Sequence, residues 1–567
     1  MKSGKLRPVS VVSSGAALAC ALFGASAWAQ DRPSEADMFG GGAPAAPAPA
    51  PPPAGAPPAP AAAPANPPPA NPGATAPPAP GEAPPSNASP QAPPAASAEA
   101  AQSSGGSSRD TQILSGTETP MFTEEAAPDD PLKIGGQLYL RAQTTALTGQ
   151  VPGNWSFSSP SLLDTYLDVR PNDRVRGFVL GRMVYDPTLP ASASNSASIG
   201  SVSATGNTSG SQSLSSLFGQ PTRGPTVALD QLWLRFDVAH TVFVTAGKQH
   251  VRWGTGHFWT PTDFLHLRKR NPLDVFDART GTTMLKLHVP IESKAWNFYG
   301  YALTESNTST QTLGKVATAA RAELVLGPAE LGLGAVVQRD LKPKFAADLS
   351  AGIGDFDVYG ELGLRSGNEI DRVRYDANPM PSPTIDPALS STAALEQVIN
   401  AYYPIYRSSG YKPQVVGGLT YSQKYNDNDL FTVGGEYFYN ALGYSSPAAY
   451  PGLVFPHTVD LNESATFFYL GRQYAALYVS FPAPYSFDNH TFTLSTLGNL
   501  SDRSFISRFD YSLAALTHMR FEAFVSARYG NENGEFRFGV KNLNFGGFNY
   551  TRAPAFLDLG IALRIAI

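Results

Sequence analysis

The stretch Ala555-Phe556-Leu557-Asp558-Leu559-Gly560-Ile561-Ala562-Leu563-Arg564-Ile565-Ala566-Ile567 alternates two kinds of side chain along its length. In an extended chain Ala555, Leu557, Leu559, Ile561, Leu563, Ile565 and Ile567 share one face, and Phe556, Asp558, Gly560, Ala562, Arg564 and Ala566 share the other. Thirteen residues is long for a strand of a soluble sandwich and suits a tilted strand crossing a bilayer. A face carrying Asp558 and Arg564 is costly in a dry core. Lipid on one side and water on the other accommodate both faces.

The pattern repeats upstream. Met519, Phe521, Ala523, Val525, Ala527 and Tyr529 oppose Arg520, Glu522, Phe524, Ser526 and Arg528, and Leu232, Leu234, Phe236 and Val238 oppose Gln231, Trp233, Arg235 and Asp237. Eighteen such segments begin near 134, 161, 174, 227, 241, 281, 294, 316, 330, 342, 356, 414, 429, 473, 489, 503, 518 and 554, with Gly, Pro, Asn and Asp turns between them. Every second connection is short, among them Arg170-Pro171-Asn172-Asp173, Ala239-His240, Gly354-Asp355, Asn426-Asp427-Asn428 and Leu516-Thr517. The long ones, 187–226, 252–280, 367–413, 441–472 and 531–553, all fall on the other set. This sorting predicts an all-β fold, a transmembrane antiparallel β-barrel of about 18 strands over 131–567, with short turns in the periplasm. Within 384–405 the loose spacing of Ala388, Ala393, Leu395 and Val398 predicts a short helix.

The start of the chain reads differently. Lys2, Lys5 and Arg7 precede an apolar run over 11–25 and then Ala27-Trp28-Ala29, which predicts a secretory signal peptide over 1–29. Ala17-Leu18-Ala19-Cys20 leaves lipoprotein processing at Cys20 open as the alternative. Cleavage after Ala29 removes the one cysteine of the sequence, and with it disulfides, thiolate metal sites and cysteine nucleophiles. Residues 30–130 are so rich in Pro and Ala that they cannot bury a core, which predicts a disordered periplasmic arm. Residues 31–130 carry eleven acids against two arginines, whereas 131 onward carries 36 basic against 35 acidic residues. The net charge of −5 therefore belongs to the arm. Two roles stay open for it, a tether for a periplasmic partner and a solvated spacer.

The body, over roughly 131–567, resembles the porin-like outer-membrane β-barrel families of Gram-negative bacteria. The last strand matches their assembly signal at Asp558, Gly560, Leu563 and Ile565, although Ile567 stands where an aromatic residue is usual. Gly247-Lys248-Gln249-His250-Val251-Arg252-Trp253-Gly254, with Pro261-Thr262-Asp263 after it, and Gly434-Gly435-Glu436-Tyr437-Phe438-Tyr439-Asn440 are similar to recurrent barrel segments. The resemblance implies an outer-membrane location and recognition by the barrel-assembly machinery. It also implies that a long loop after an early strand folds into the lumen. Loop 252–280 is the candidate, with Arg252, Trp253, His257, Asp263, Arg268, Lys269 and Arg270 as constriction residues. An ordered cap outside the barrel is the alternative.

Alternation places Arg141, Arg176, Arg182, Arg235, Lys286, Arg508, Asp510, Arg520, Glu522 and Arg528 toward the lumen. They read either as a basic ladder guiding anionic solutes or as cross-strand ion pairs, for example Arg508 and Asp510 against Arg520 and Glu522. The eight histidines show no metal-ligand spacing, so no metal and no cofactor are expected. No local motif supports a nucleophile, so an enzyme is not expected, and no basic patch interleaved with aromatics points to nucleic acid. Two functions remain: a channel for small hydrophilic solutes with a weak anion preference, and a non-conducting surface receptor, adhesin or envelope tether. Because 41–100 lies in a segment without a packed core, its deletion is expected to leave barrel folding unchanged. Heat-modifiable migration in detergent gels checks this, and loss of the folded band would make the arm an ordered plug.

Overall fold

The computed structural model describes residues 131–567 apart from 189–224, 267, 275–276, 278, 306–311, 380–390, 426–429, 455–460, 462–463, 486 and 546–547. The signal peptide over 1–29, Cys20, the arm over 30–130 and the turn at 426–428 lie outside the described residues, as do most of loop 187–226 and the start of the helix expected within 384–405.

Eighteen long strands form the barrel. They are β1 (Leu132–Leu147), β2 (Ser161–Asn172), β3 (Val175–Tyr185), β4 (Thr226–Val238), β5 (Val242–Gln249), β6 (Thr282–Ile291), β7 (Trp296–Leu303), β8 (Ala317–Leu326) and β9 (Ala329–Val337). β10 (Lys344–Ile353), β11 (Phe356–Ser366), β12 (Tyr411–Lys424), β13 (Leu430–Asn440), β14 (Gln473–Pro482), β15 (His490–Asn499), β16 (Ser504–Leu516), β17 (Met519–Gly530) and β18 (Ala555–Ala566) follow. Each pairs antiparallel with its neighbours in sequence. β18 closes on β1, from Gln137 opposite Ala566 to Leu147 opposite Ala555. The seam continues past the strand end, where Gly136 and Ile567 exchange backbone hydrogen bonds of 3.0 and 2.9 Å.

Closure leaves no sheet edge, the condition a sheet must meet in hydrocarbon. The outer face is apolar: Leu163, Leu167 and Val169 on β2, Leu232, Leu234 and Phe236 on β4, and Val525 on β17 all point outward. At one end the strands join through tight turns. Ala239 and His240 both adopt φ 54°, the left-handed pair that a two-residue hairpin demands, held by the His240 N–H donating to Asp237 Oδ2 at 3.0 Å. At the other end lie the long connections, which carry their own structure. The segment Ser156–Ser158 folds back onto β1, and helix α1 (Ser391–Tyr402) buries Val398 and Ile399 against Val373, Tyr444, Tyr450 and Leu453.

The C-terminal strand departs from simple alternation at its start. Ala555, expected outward, is buried, while Phe556, expected inward, is exposed. The register shift opposite Ala146 and Leu147 inserts one residue there, and a bulge reverses the face of everything before it. From Asp558 onward the expected faces hold.

Truncation after Asp558 removes most of the pairing that β18 offers both β1 and β17. Gly560→Asp puts a side chain where a Cβ alone would collide with the Phe524 ring. Both variants are expected to lose the heat-resistant folded band and most of their membrane-fraction protein. Wild-type amounts of the truncated chain in folded form would show that the seam is dispensable.

Candidate functional site

The connection between β5 and β6, residues 250–281, turns into the lumen instead of standing above it. Its two ends are tied to one residue. Asp230, at a bulge in β4, accepts the Gly281 N–H at 3.0 Å, lies 2.9 Å from His250 Nε2, and pairs with Arg182 at 3.2 Å.

From that base the chain crosses to the opposite wall, where two carboxyl groups on the strands hold it. Glu361 of β11 accepts the Gly256 N–H, the Thr262 N–H at 3.3 Å and the Thr262 hydroxyl at 2.7 Å. Glu436 of β13 accepts the N–H groups of His257 at 2.6 Å, Phe258 at 3.2 Å and Trp259 at 2.8 Å, and the Tyr359 hydroxyl at 2.9 Å. Successive backbone donors converging on one acid make an anion-binding nest, here filled by the wall itself. Gly254, at φ +99°, makes the approach possible, because a Cβ there would run into the Glu361 carboxyl group.

Aromatic packing completes the anchor. Trp259 is fully buried among Phe438, Tyr474 and Phe468, and its Nε1 donates to the Phe468 carbonyl at 2.9 Å. His257 stacks on Tyr478 with centroids 4.6 Å apart, and burial beside Arg270 and Arg252 holds its ring well below the usual histidine range, so it is neutral. Trp253 fills a second cluster with Leu265, Met284, Tyr301 and Val336.

The loop carries an internal charge knot. Asp263 lies 3.0 Å from His266 Nδ1 and 2.9 Å from Arg279, and Arg279 pairs again with Asp277 at 2.6 Å. Burial works against the Asp263 charge, but His266 and Arg279 outweigh it and hold the carboxyl well below its ordinary range. The run Arg268-Lys269-Arg270 does not act as one patch. Arg268 is exposed, Lys269 Nζ donates to the Asp263 carbonyl at 3.3 Å, and Arg270 is buried toward the far wall. Arg252 turns back on its own loop and donates to the Gly256 carbonyl at 2.7 Å.

Beyond Arg270 the loop touches the far wall. Arg508 of β16 donates to the Leu273 carbonyl at 3.0 Å. A cavity of ≈ 50 Å³ lies beside this contact, lined by Arg270, Asp274, Arg508, Asp510, Glu522 and the hydroxyls of Thr493 and Ser495. Phe524 of β17 carries Arg508 at 4.2 Å and Arg141 at 4.8 Å on its ring. The half-buried Asp274 has its carboxyl pushed up to about 6 by burial, against the pull of Arg141 and Arg508.

The remaining lumen residues named from the sequence sit on inward positions of β3, β4, β6, β16 and β17. Arg176 pairs with Asp168 at 2.9 Å, and Arg182 with Asp164 at 2.7 Å. Arg235 lies over Phe243 at 5.2 Å, and Lys286 over Tyr299 at 5.7 Å. In place of the expected exchange across the β16–β17 hairpin, Arg508 and Glu522 take other partners. Arg508 pairs with Asp510 on its own strand at 2.6 Å, and Glu522 with Arg564 at 2.8 Å. The β16–β17 hairpin sets Arg508 opposite Ser526 and Glu522 opposite Ser512, so the two charge pairs are out of step. Arg520 faces Arg564 across the β17–β18 ladder. Arg528 bonds Asp558 at 2.6 Å, and Thr145 bonds the same carboxyl group at 2.7 Å. Leu563 and Ile565 point outward from β18, and Gly560 lies inward beneath Phe524.

Period-two spacing puts Glu361 and Glu436 on inward positions of their strands without showing that they hold the loop, and no sequence signal marks Asp230 or Phe524. Period-two alternation places a carboxyl group inside, but nothing local shows which backbone it will meet.

No protein-family model matches the chain, and no curated protein matches it. Among solved structures it is similar to OccAB1 of Acinetobacter baumannii, at 10% identity over 77% of this chain and 96% of that one, with a TM-score of 0.42. It is also similar to OccK2 (OpdF) of Pseudomonas aeruginosa, at 10% identity over 77% and 97%, with a TM-score of 0.42. A triple mutant of Rhodopseudomonas blastica porin is similar at 10% identity over 77% and 100%, with a TM-score of 0.33. Likenesses this distant carry nothing about solutes. The closed ring of eighteen strands, its apolar exterior and its in-folded loop themselves define a porin-like, outer-membrane-type β-barrel.

Removing both loop anchors tests the site. In a Glu361→Ala, Glu436→Ala variant the 256–262 amides lose acceptors, each such loss costing about 1–3 kcal/mol. Their hydrogen exchange is expected to quicken at least about tenfold while exchange in the strands stays near wild type. Unchanged exchange in the loop would assign its position to the aromatic packing alone.

Proposed function

We propose that this protein is a channel of the Gram-negative outer membrane for small hydrophilic solutes, with a mild preference for anions. The observation that carries the reading is the contact between the loop at Leu273 and Arg508 on the far wall. A loop held at both walls narrows the lumen. At a narrow aqueous section fixed charges act with the least screening. Arg141, Arg270 and Arg508 face this section against Asp274, Asp510 and Glu522, and Arg235, Arg520 and Lys286 continue the basic surface along the walls, where Arg176, Arg182 and Arg528 are held in ion pairs. In this reading Arg252, Trp253, His257, Asp263, Arg268 and Lys269 shape and stiffen the constriction. The short turns face the periplasm, together with an arm that serves as tether or spacer. The barrel-assembly machinery reads Asp558, Gly560, Leu563 and Ile565 before β18 closes the seam.

A second reading, a non-conducting surface receptor or tether, is favoured by one feature. Residues from 367–410, 441–472 and 531–554 pack an apolar core of their own above the barrel, including Val398, Tyr403, Tyr444 and Leu453. Beside it Glu535 accepts the Tyr474 hydroxyl at 2.6 Å and the Asn499 amide at 2.9 Å, and burial pushes its carboxyl up to about 8.

Planar-bilayer recording separates the two. The channel reading predicts discrete conductance steps and a reversal potential displaced toward the anion equilibrium value, the displacement shrinking as salt rises. Lowering the pH through about 6 protonates Asp274, removes a negative charge from the constriction and should strengthen anion preference. Asp274→Asn should hold that stronger preference at all pH, and Arg270→Ala with Arg508→Ala should reverse it. Folded, inserted protein that never conducts would leave the receptor reading standing.

A further inference from the structure

We propose that the outer face of β7–β11 is a binding site for a phosphate-bearing, multi-acylated lipid of the outer leaflet, with an acyl chain in an apolar groove and phosphate against Lys315, Arg339 and Lys342. The proposal takes the orientation of the long loops from the membrane reading above and is independent of whether the barrel conducts.

The groove is a local change in the barrel's outer surface. On β4 the lipid-facing positions are bulky, at Leu232, Leu234 and Phe236, and on β17 a small one such as Ala523 stands singly between Phe521 and Val525. On β8 they are Thr318, Ala320 and Ala322, with Ala335 of β9 opposite Ala320 and Ala347 of β10 opposite Leu333. Phe298, Leu333, Phe345, Leu362 and Leu364 stand round this floor and enclose an open groove of ≈ 600 Å³. Its lining is almost wholly apolar, so water is a poor occupant. An unfilled hollow would forfeit dispersion contacts that a hydrocarbon chain supplies.

The charges above the groove select among lipids. The strands that floor it lead into two adjoining connections at the long-loop end, the turn Leu313–Lys315 before β8 and residues 338–343 after β9. Gln338 Nε2 donates to the Lys315 carbonyl at 3.0 Å, and the Arg339 guanidinium lies beside Gly314, where a Cβ would stand 3.1 Å from Nη1. These contacts bring Lys315 and Arg339 together, and Lys342 follows in the same turn. At strand spacing Arg339 stands about 14 Å above Ala335, the offset between a headgroup and the upper part of its chains. Asp340 is the acid within this group, 4.0 Å from Arg339 with both side chains more than two-thirds exposed. Such a pair contributes little in water. Glu369 reaches the same turn, where it accepts the Lys342 N–H at 3.2 Å, but its charge is shared with Lys344 at 3.9 Å, so the basic residues of the rim still outnumber the acids. A net positive rim over an apolar hollow complements a lipid with anionic phosphate on acyl chains. A zwitterionic lipid brings its own ammonium group and gains less there.

Native mass spectrometry of the full chain in detergent, after delipidation, provides the test, with bisphosphorylated lipid A and phosphatidylethanolamine as probes. Wild type should retain lipid A at least about tenfold better than phosphatidylethanolamine. Arg339→Glu with Lys342→Glu should abolish that difference, and Ala335→Phe, which fills the groove, should weaken retention of both lipids. If the charge-reversed chain folds poorly, Arg339→Gln with Lys342→Gln carries the same comparison. Equal retention of the two lipids by wild type, or lipid A retention unaffected by the charge and groove variants, would overturn the proposal. So would a lipid-free dimer broken by Ala335→Phe, which would make this face a contact between copies.

Discussion

Within hydrocarbon a backbone N–H or C=O without a partner costs several kcal/mol, and a sheet meets that condition only by having no edge. Everything else in this structure follows from how the chain closes its ring. The β1–β18 seam joins the two ends of the described chain, and it closes only if eighteen strands keep register all the way round. The seam also needs side chains. Asp558 takes Thr145 from β1 and Arg528 from β17, so one carboxyl group bonds both neighbours of the last strand.

A closed barrel of this size encloses space that must be filled, narrowed or left to water. Here it is narrowed by a segment of backbone that has left its own sheet and would carry unsatisfied N–H groups into the interior. Glu361 and Glu436 answer this by offering acceptors from the wall. Asp230 does the same at the loop's base, where a bulge turns its side chain toward the incoming chain. The three acids serve one purpose at three points along the loop. The aromatic side chains between them make the loop a packed element and not a flexible strap.

The lumen charges fall into two groups as a result. Some are satisfied within the wall, as Arg182 is with Asp164 and Asp230, and these stiffen the barrel without offering much to a solute. Others meet at the loop's far contact, where Arg508 divides its guanidinium between Asp510, the Leu273 carbonyl and the Phe524 ring. The outer surface is divided in a comparable way: strands such as β4 set large side chains toward hydrocarbon, and β7–β11 carry a hollow beneath a positive rim.

The amino-acid sequence alone determined the fold class, the strand number, the sorting of short turns from long loops, and the inward or outward face of most residues in the strands where alternation is clearest. It could do so because these depend on a two-residue period and on turn chemistry, both local. It failed where one inserted residue reversed the period, at Ala555 and Phe556, and where register decided contact, at Arg508 and Glu522. The loop's role was legible only through a resemblance. Its path was not legible, because Glu361, Glu436 and Arg508 lie about 100 to 250 residues from the loop atoms they hold. Such partners are chosen by the curvature and stagger of the closed sheet, and no local pattern of residues encodes that geometry.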